Sequence, residues 1–218
     1  MDTFLVVLVG WIFSLCLHEF SHAIVAYWGG DLSVKDKGYL SFNPIKYVDP
    51  LFSIVLPIIF LLIGGLGLPG GAVYIDRSRL RNKIWDSAVS LAGPISNLFL
   101  AIVIALILQI DAVSNSSAAP VLSFLGMLQA SVFVLNLVPI PPLDGFGAIA
   151  PFLPDSIREA AYAYGSYGVF LIFFALFQVD AASREFWGLV HGISDTLGIS
   201  RQLAYEGQTM FQFWKQWH

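Results

Sequence analysis

Long apolar runs separated by short polar segments organise this chain. A helix needs about 20 predominantly apolar residues to cross the hydrocarbon core of a bilayer. Runs of about that length are Phe4–Trp28, Ser87–Ile110, Pro120–Val138 and Ala161–Val179. A fifth run, Leu51–Leu68, is of marginal length and contains a proline and a glycine-rich end. We therefore predict an all-α polytopic membrane protein with about four full spanning helices and one re-entrant or short helix.

Two of the polar segments between these runs are basic. Gly29–Pro50 contains three lysines and Pro69–Asp86 contains three arginines and a lysine, whereas Asp111–Ala119 contains neither. Because basic loops are retained on the cytoplasmic side of a membrane, both basic segments are predicted to face the cytoplasm. Leu51–Leu68 lies between them and therefore should not cross the membrane fully.

Two further elements are predicted outside the apolar runs. Gly71–Ile75 has the length and apolar character of a small membrane-associated β segment, which would pair with an unwound peptide by β-augmentation. A connecting strand without any ligand has the same pattern. After Asp180, aromatic residues mix with charges, which predicts one or two interfacial amphipathic helices, although core packing gives the same pattern.

Composition supports the membrane class. Hydrophobic residues make up 57% of the chain, charged residues 12%, and the mean hydropathy is +0.74, values that a soluble domain rarely shows. The net charge is −4 and no basic block occurs, so no nucleic-acid partner is expected. The one cysteine, Cys16, excludes an intrachain disulfide and is predicted to be a packing residue. The first run lacks the basic segment and cleavage site of a signal peptide, so we expect it to be retained.

An HExxH motif, His18-Glu19-Phe20-Ser21-His22, lies inside the first apolar run. Residues i and i+4 share one helix face, so the two imidazoles can point at a single metal ion. Glu19 projects roughly 100° around the helix, where it can reach a metal-bound water without being a ligand. Because ionisable groups at membrane depth are costly, a functional cluster is favoured over the alternative, a polar face packed against other helices.

Asp144 is a candidate for the third protein ligand that a catalytic zinc ion usually has. It follows a stretch with three prolines in four positions, Pro139 to Pro142, which cannot continue a helix. Unwound backbone at membrane depth is tolerated where protein buries it or where it lines a wet cavity. For Asp144 to share an ion with the histidines, the first and third predicted helices must run in the same direction. A simple loop turn with a surface aspartate fits this sequence equally well.

Four motifs occur in the order found in a known family. They are HEFSH at 18–22, GGAVY at 70–74, AGPISN at 92–97 and NLVPIPPLDG at 136–145. This order resembles the site-2 protease family of intramembrane zinc metalloproteases. The stretch LSFNPIKYVDP at 40–50 is similar to the compact prokaryotic members of that family. The resemblance covers roughly residues 10–155.

The resemblance implies a set of roles for the motif residues. It implies that His18, His22 and Asp144 bind Zn²⁺ and that Glu19 is the catalytic acid and base. Zinc lowers the pKa of its bound water to about 7, and Glu19 would carry that water's proton to the leaving amine.

Two asparagines complete the candidate residues. The resemblance implies that Asn136 contacts the substrate backbone or the oxyanion. A polar contact between helices is the alternative, since such contacts are common in membranes. We interpret Asn97 as a contact of that second kind, next to the close helix packing that Gly93 allows.

The predicted function is an intramembrane zinc endopeptidase that hydrolyses peptide bonds in or near transmembrane segments of membrane proteins, as in regulated intramembrane proteolysis. Residues 1–160 would form its core, and 161–218 an additional spanning helix with an amphipathic tail.

The expected partners are a membrane-protein substrate and the lipid bilayer. The expected location is the plasma or inner membrane of a prokaryote, with the active site toward the cytoplasm. The alternative is a non-proteolytic metal-binding membrane protein, either a transporter or a scaffold. A transporter often shows an internal repeat with two broken helices, whereas this chain shows one.

Overall fold

The computed structural model describes residues 2–43, 46 and 73–212 of the 218-residue chain. These residues form ten α-helices and two short 3-10 turns, at Arg77–Arg79 and Ala150–Phe152. The helices are α1 (Asp2–Gly29), α2 (Ser33–Asp36), α3 (Lys83–Leu108), α4 (Asp111–Ser114), α5 (Ala119–Asn136), α6 (Asp144–Ile149), α7 (Asp155–Ala163), α8 (Gly165–Gln178), α9 (Asp180–Leu197) and α10 (Arg201–Phe211).

Within the described part of the chain, three helices are long and apolar enough to cross a membrane. The spans are Thr3–Gly29 in α1, Lys83–Leu108 in α3 and Ala119–Asn136 in α5. They confirm three of the predicted spanning helices to within a few residues. α3 also exposes a stripe of large apolar side chains at helical spacing, as a lipid-facing surface requires. The members of that stripe are Ile95, Phe99, Ile102 and Leu106.

The directions of the three spanning helices follow from their contacts. α1 and α3 are antiparallel, because Ser14 contacts Asn97 whereas His22, two turns further along α1, contacts Val89. α1 and α5 are parallel, because Ser14 contacts Gln129 and Gly10, one turn earlier, packs against Leu125. This arrangement confirms the predicted relation between the first and third helices.

The two basic polar segments meet at one end of the bundle. α1 ends where Gly30 takes a φ of +122°, which L side chains rarely adopt, and a Cβ there would lie 2.7 Å from the carbonyl oxygen of Arg79. The Arg81 N–H donates to the carbonyl oxygen of Gly29 at 2.9 Å. Asn82 then caps the start of α3, and its side-chain oxygen accepts hydrogen bonds from two N–H groups of the first turn.

The predicted fourth spanning helix, Ala161–Val179, is wrong as a continuous element. α7 ends at Ala163, and α8 has 14 residues, about 21 Å at 1.5 Å per residue, which is short for a bilayer core of about 30 Å. We attribute the division of this run into two helices to tertiary packing. A Cβ on Gly168 would overlap the carbonyl oxygen of Pro141, so the start of α8 lies against the proline-rich segment.

The predicted β segment is also wrong, since the described residues contain no strand. Val73 to Asp76 are held by side chains instead of by a neighbouring strand. The Val73 N–H donates to Glu19, and the Tyr74 carbonyl oxygen accepts from Lys37 at 2.7 Å. The Asp76 N–H donates to the buried carboxylate of Asp31 at 2.8 Å. Gly71, Ala72 and Leu51–Leu68 lie outside the described residues.

The C-terminal helices pack against α5. In α9, Phe186 and Val190 belong to an apolar cluster with side chains of α5 and α8. In α10, the fully buried Phe211 lies against Phe124 of α5 and stacks on Phe4 of α1, with ring centroids 5.4 Å apart in the latter pair. Core packing therefore accounts for Phe186 and Phe211, whereas Tyr205 of α10 is exposed, and an interfacial location of these helices stays a prediction. Cys16 is buried in a third cluster between α1 and α3, which confirms it as a packing residue.

Candidate metal centre

Three potential metal ligands converge between the spanning helices. The distance between the Nε2 atoms of His18 and His22 is 3.0 Å, and the Asp144 Oδ2 atom lies 3.1 Å from the first and 3.4 Å from the second. Both histidines are buried, and the Asp144 side chain is about one-fifth exposed. Within the described part of the chain, these three side chains form the one group of three or more His, Cys, Asp and Glu residues that could hold an ion.

The donor set and its dimensions fit zinc. Zinc–nitrogen and zinc–oxygen bonds are about 2.0–2.2 Å long in tetrahedral sites. The edges of such a tetrahedron are about 3.3–3.6 Å, from the same bond lengths. The observed separations of 3.0, 3.1 and 3.4 Å are close to those edges. Two imidazoles and one carboxylate also leave a fourth position open, as in a catalytic site.

Local chain geometry brings Asp144 to the histidines. Residues 137–143 are not helical, so the chain unwinds at the prolines as predicted. α6 then begins at Asp144. A Cβ on Gly145 would overlap the carbonyl oxygen of Leu137, so only glycine lets the returning chain approach the end of α5 this closely. The Ser87 hydroxyl donates to the Ala148 carbonyl oxygen and ties α6 to α3.

Gly93 of α3 lies directly against both imidazoles. A Cβ at this position would overlap the Nε2 atoms of His18 and His22. The glycine is therefore required by the metal centre itself, which goes beyond the helix packing that the sequence suggested. Pro94 follows it in the same helix, and because proline has no N–H the intrahelical hydrogen bonding is interrupted beside the site.

We expect Gly93→Ala to lose bound zinc. The added methyl group would occupy the space of the two ligand nitrogens, so at least one imidazole would have to leave. Metal analysis of the purified protein, with zinc reported per chain, is the measurement. Gly192→Ala in α9 is the matched control, since a Cβ there meets nothing within 4 Å. Full zinc occupancy in Gly93→Ala would contradict the geometry.

Each imidazole has a partner on its Nδ1 atom. His18 Nδ1 lies 2.6 Å from the side-chain oxygen of Asn97, and His22 Nδ1 lies 2.6 Å from the carbonyl oxygen of Val89. Both partners are acceptors, so both Nδ1 atoms carry the proton and both Nε2 lone pairs point to the centre. The interpretation of Asn97 as a helix-packing residue alone missed this contact. Asn97 is four residues after Gly93, so the two residues share one helix face. That spacing was the feature of the sequence that indicated a position of Asn97 near the histidines.

Glu19 is buried next to the ligand set. Its Oε2 atom accepts a hydrogen bond from the Val73 N–H at 3.1 Å. The backbone that carries Val73 is fixed by Asp31 and Lys37, as described above. This contact orients the carboxylate through one oxygen, and no hydrogen bond from the described residues reaches its other oxygen.

Asn136 is buried at the last residue of α5. Its Nδ2 atom has no hydrogen-bond partner among the residues that the structure describes. A buried amide without a partner costs free energy, on the order of 1–3 kcal/mol. Asn136 is eight residues before Asp144 in the sequence, and its Nδ2 atom is open to a partner beyond the described residues.

Comparisons with known proteins agree with a metalloprotease. The chain is 41% identical over its full length to the "Putative zinc metalloprotease Rip2" of Mycolicibacterium smegmatis, of which it covers 83%. It is 41% identical over 98% of its length to the protein of that name from Mycobacterium tuberculosis, of which it covers 82%. It is 32% identical over 85% of its length to the "Putative zinc metalloprotease YwhC" of Bacillus subtilis, of which it covers 86%. No family model and no solved structure matches the chain.

Proposed function

The chain belongs to the site-2 protease family of membrane zinc metalloproteases, and from that premise we propose that it is an intramembrane endopeptidase. Its substrates are membrane proteins, which it cuts in or near a transmembrane segment as a step of regulated intramembrane proteolysis. The observation that carries this proposal is the depth of the candidate metal centre. His22 lies seven residues before the end of α1, roughly 10 Å along the helix axis.

His18, His22 and Asp144 hold the zinc ion in this proposal. A zinc ion held there would supply an activated water at neutral pH and Lewis-acid stabilisation of a carbonyl oxygen. Glu19 accepts the proton of the attacking water at the carboxylate oxygen that Val73 leaves free, and then donates it to the leaving amine. The Nδ2 atom of Asn136, which has no hydrogen-bond partner among the described residues, would donate to the substrate carbonyl oxygen as negative charge develops on that oxygen.

We expect Asn136→Ala to lower turnover by about 10²-fold, the scale of one oxyanion donor. Zinc content should stay at the wild-type level, because no ligand is removed. The measurements are cleavage rate, zinc content and melting temperature on one preparation, with the exposed Asn115→Ala as the control.

An interhelical role for Asn136 would give the opposite pattern. Its removal would then cost on the order of 0.6–2 kcal/mol of stability, and activity per folded molecule would remain near that of the wild type. That pattern would remove Asn136 from the proposed site.

The proposed location is the plasma or inner membrane of a prokaryote, with the metal centre nearer the cytoplasm. The basic residues of the two polar segments support this orientation. We expect single cysteines at Lys37 and Arg79, introduced into a Cys16→Ser background, to react with an impermeant reagent only from the cytoplasmic side. Labelling from the outer side would contradict the orientation, and labelling from opposite sides would contradict the meeting of the two segments.

The direct test uses purified protein in liposomes with a single-span membrane protein as substrate. Cleavage should stop when a chelator removes zinc and should return when zinc is added back. The cut should map to the transmembrane segment or its flank. Cleavage restricted to soluble peptides, or cleavage unaffected by the chelator, would overturn the proposal.

A further inference from the structure

Three buried polar side chains, one from each spanning helix, form a hydrogen-bonded cluster next to the metal centre. They are Ser14 of α1, Asn97 of α3 and Gln129 of α5, each about 1% exposed. The Ser14 hydroxyl donates to the Gln129 Oε1 atom at 2.6 Å. The Asn97 Nδ2 group donates to the same oxygen at 2.9 Å and lies 3.1 Å from the Ser14 hydroxyl oxygen.

The pattern of donors and acceptors in this cluster has a fixed direction. Because Gln129 presents its carbonyl oxygen to two donors, Asn97 must turn its NH₂ group toward Gln129. The Asn97 oxygen then faces His18 Nδ1 at 2.6 Å and accepts its proton. His18 is thereby left with a lone pair on Nε2, the atom that points to Asp144 and His22.

The reverse orientation of the two amides would disable this ligand. If Asn97 presented its NH₂ group to His18, the ring would have to accept at Nδ1 and carry its proton on Nε2. A protonated Nε2 cannot bind a metal ion. The identity of the acceptor on α5 therefore decides whether His18 can be a ligand, although Gln129 itself does not touch the imidazole.

We propose that Gln129, supported by Ser14, is a positioning residue for the metal centre. It holds the Asn97 amide in the orientation that keeps the His18 proton on Nδ1. This inference rests on the role of His18 as a metal ligand in the proposed function. It adds α5 to the metal centre through a residue that is fifteen positions from Asp144 in the sequence.

A simple interhelical contact makes a different prediction, and polar contacts of that kind stabilise many membrane bundles. If Gln129 made such a contact, its loss would lower the melting temperature of the metal-free protein and leave the zinc affinity unchanged. If Gln129 is a positioning residue, its loss would lower the zinc affinity, since losing a hydrogen-bond partner of a metal ligand typically lowers metal affinity 10–100-fold.

The test compares two substitutions of Gln129 in the purified full-length protein. Gln129→Met keeps the length of the side chain and removes the acceptor, whereas Gln129→Glu keeps an oxygen at the acceptor position. Zn²⁺ affinity is measured by competition with a chromophoric chelator, and the melting temperature of the metal-free form is measured on the same samples. Ser131→Ala is the matched control, because its buried hydroxyl on the same helix donates to the Leu128 carbonyl oxygen and, among the described residues, to no member of the cluster.

We expect the Kd for zinc to rise about 10-fold in Gln129→Met and to stay near the wild-type value in Gln129→Glu and Ser131→Ala. Equal affinity in Gln129→Met and wild type would overturn the proposal. A loss in Gln129→Glu as large as that in Gln129→Met would also overturn it, because the acceptor oxygen would then not matter.

A second variant and a spectroscopic readout cover the case in which Gln129→Met does not fold. Ser14→Ala removes one of the two donors to Gln129 and should raise the zinc Kd by a smaller factor than Gln129→Met. In the metal-free protein labelled with ¹⁵N-histidine, the protonated nitrogen of His18 should be Nδ1 in wild type, with Nε2 protonation appearing in Ser14→Ala. Unchanged affinity together with an unchanged spectrum would overturn the proposal. None of these measurements uses a substrate. They therefore test the role of Gln129 even if the protein proves not to be a protease.

Discussion

Glu19→Gln should hold zinc at the wild-type level and lose nearly all cleavage of a single-span substrate. Glutamine has the shape of glutamate, and its side-chain oxygen can still accept the Val73 N–H that contacts Glu19 at 3.1 Å. It cannot accept the proton of the attacking water, and a general acid–base group contributes typically about 10²–10⁴-fold. The measurements are zinc per chain and the cleavage rate in liposomes.

The matched control for this change is Glu185→Gln, the same substitution at an exposed position of α9. It should leave both quantities unchanged. If Glu19→Gln cleaved at the wild-type rate, the acid–base assignment would fail. If the wild-type protein moved zinc across the liposome membrane and cleaved nothing, the transporter alternative would be supported instead.

The parts of the site that depend on local spacing were predictable from the sequence. The i and i+4 positions of His18 and His22 require a shared helix face whatever the tertiary structure. The prolines before Asp144 forbid a helix there for a similarly local reason. If His18, His22 and Asp144 share one metal ion, α1 and α5 must also be parallel, and they are parallel in the structure.

The outer partners of the metal ligands depend on contacts between distant positions. Asn97 is 79 residues from His18 and 32 from Gln129, and no local rule specifies such pairs. A polar side chain in an apolar helix can face a neighbouring helix or a ligand, and both choices satisfy it. One weak signal was present, since Gln129 precedes Asn136 by seven residues and the two share a face of α5.

The two errors in the predicted fold have the same origin. The run from Ala161 to Val179 is predominantly apolar, but the chain leaves the helix at Tyr164, and Gly165 and Gly168, which follow, lie against Pro141. Val73, Tyr74 and Ile75 have an apolar character suited to a strand. Charged side chains, however, take up the hydrogen bonds of the Val73 N–H, the Tyr74 carbonyl oxygen and the Asp76 N–H. Packing against distant residues decided both segments.

The change with the largest expected effect on zinc is Asp144→Ala. It removes one of the three ligands and leaves two buried imidazoles, whose Nε2 atoms are 3.0 Å apart, without the carboxylate that faces them. The zinc Kd should rise by more than about 100-fold, beyond the range for a residue that only contacts a metal ligand, and zinc should be absent from the purified protein.

Asp155→Ala is the control, because that exposed side chain pairs only with Arg158 among the described residues. The helices should still form, since the apolar clusters do not include Asp144. Full zinc occupancy in Asp144→Ala would show that the third ligand lies elsewhere and would require a different geometry for the whole centre.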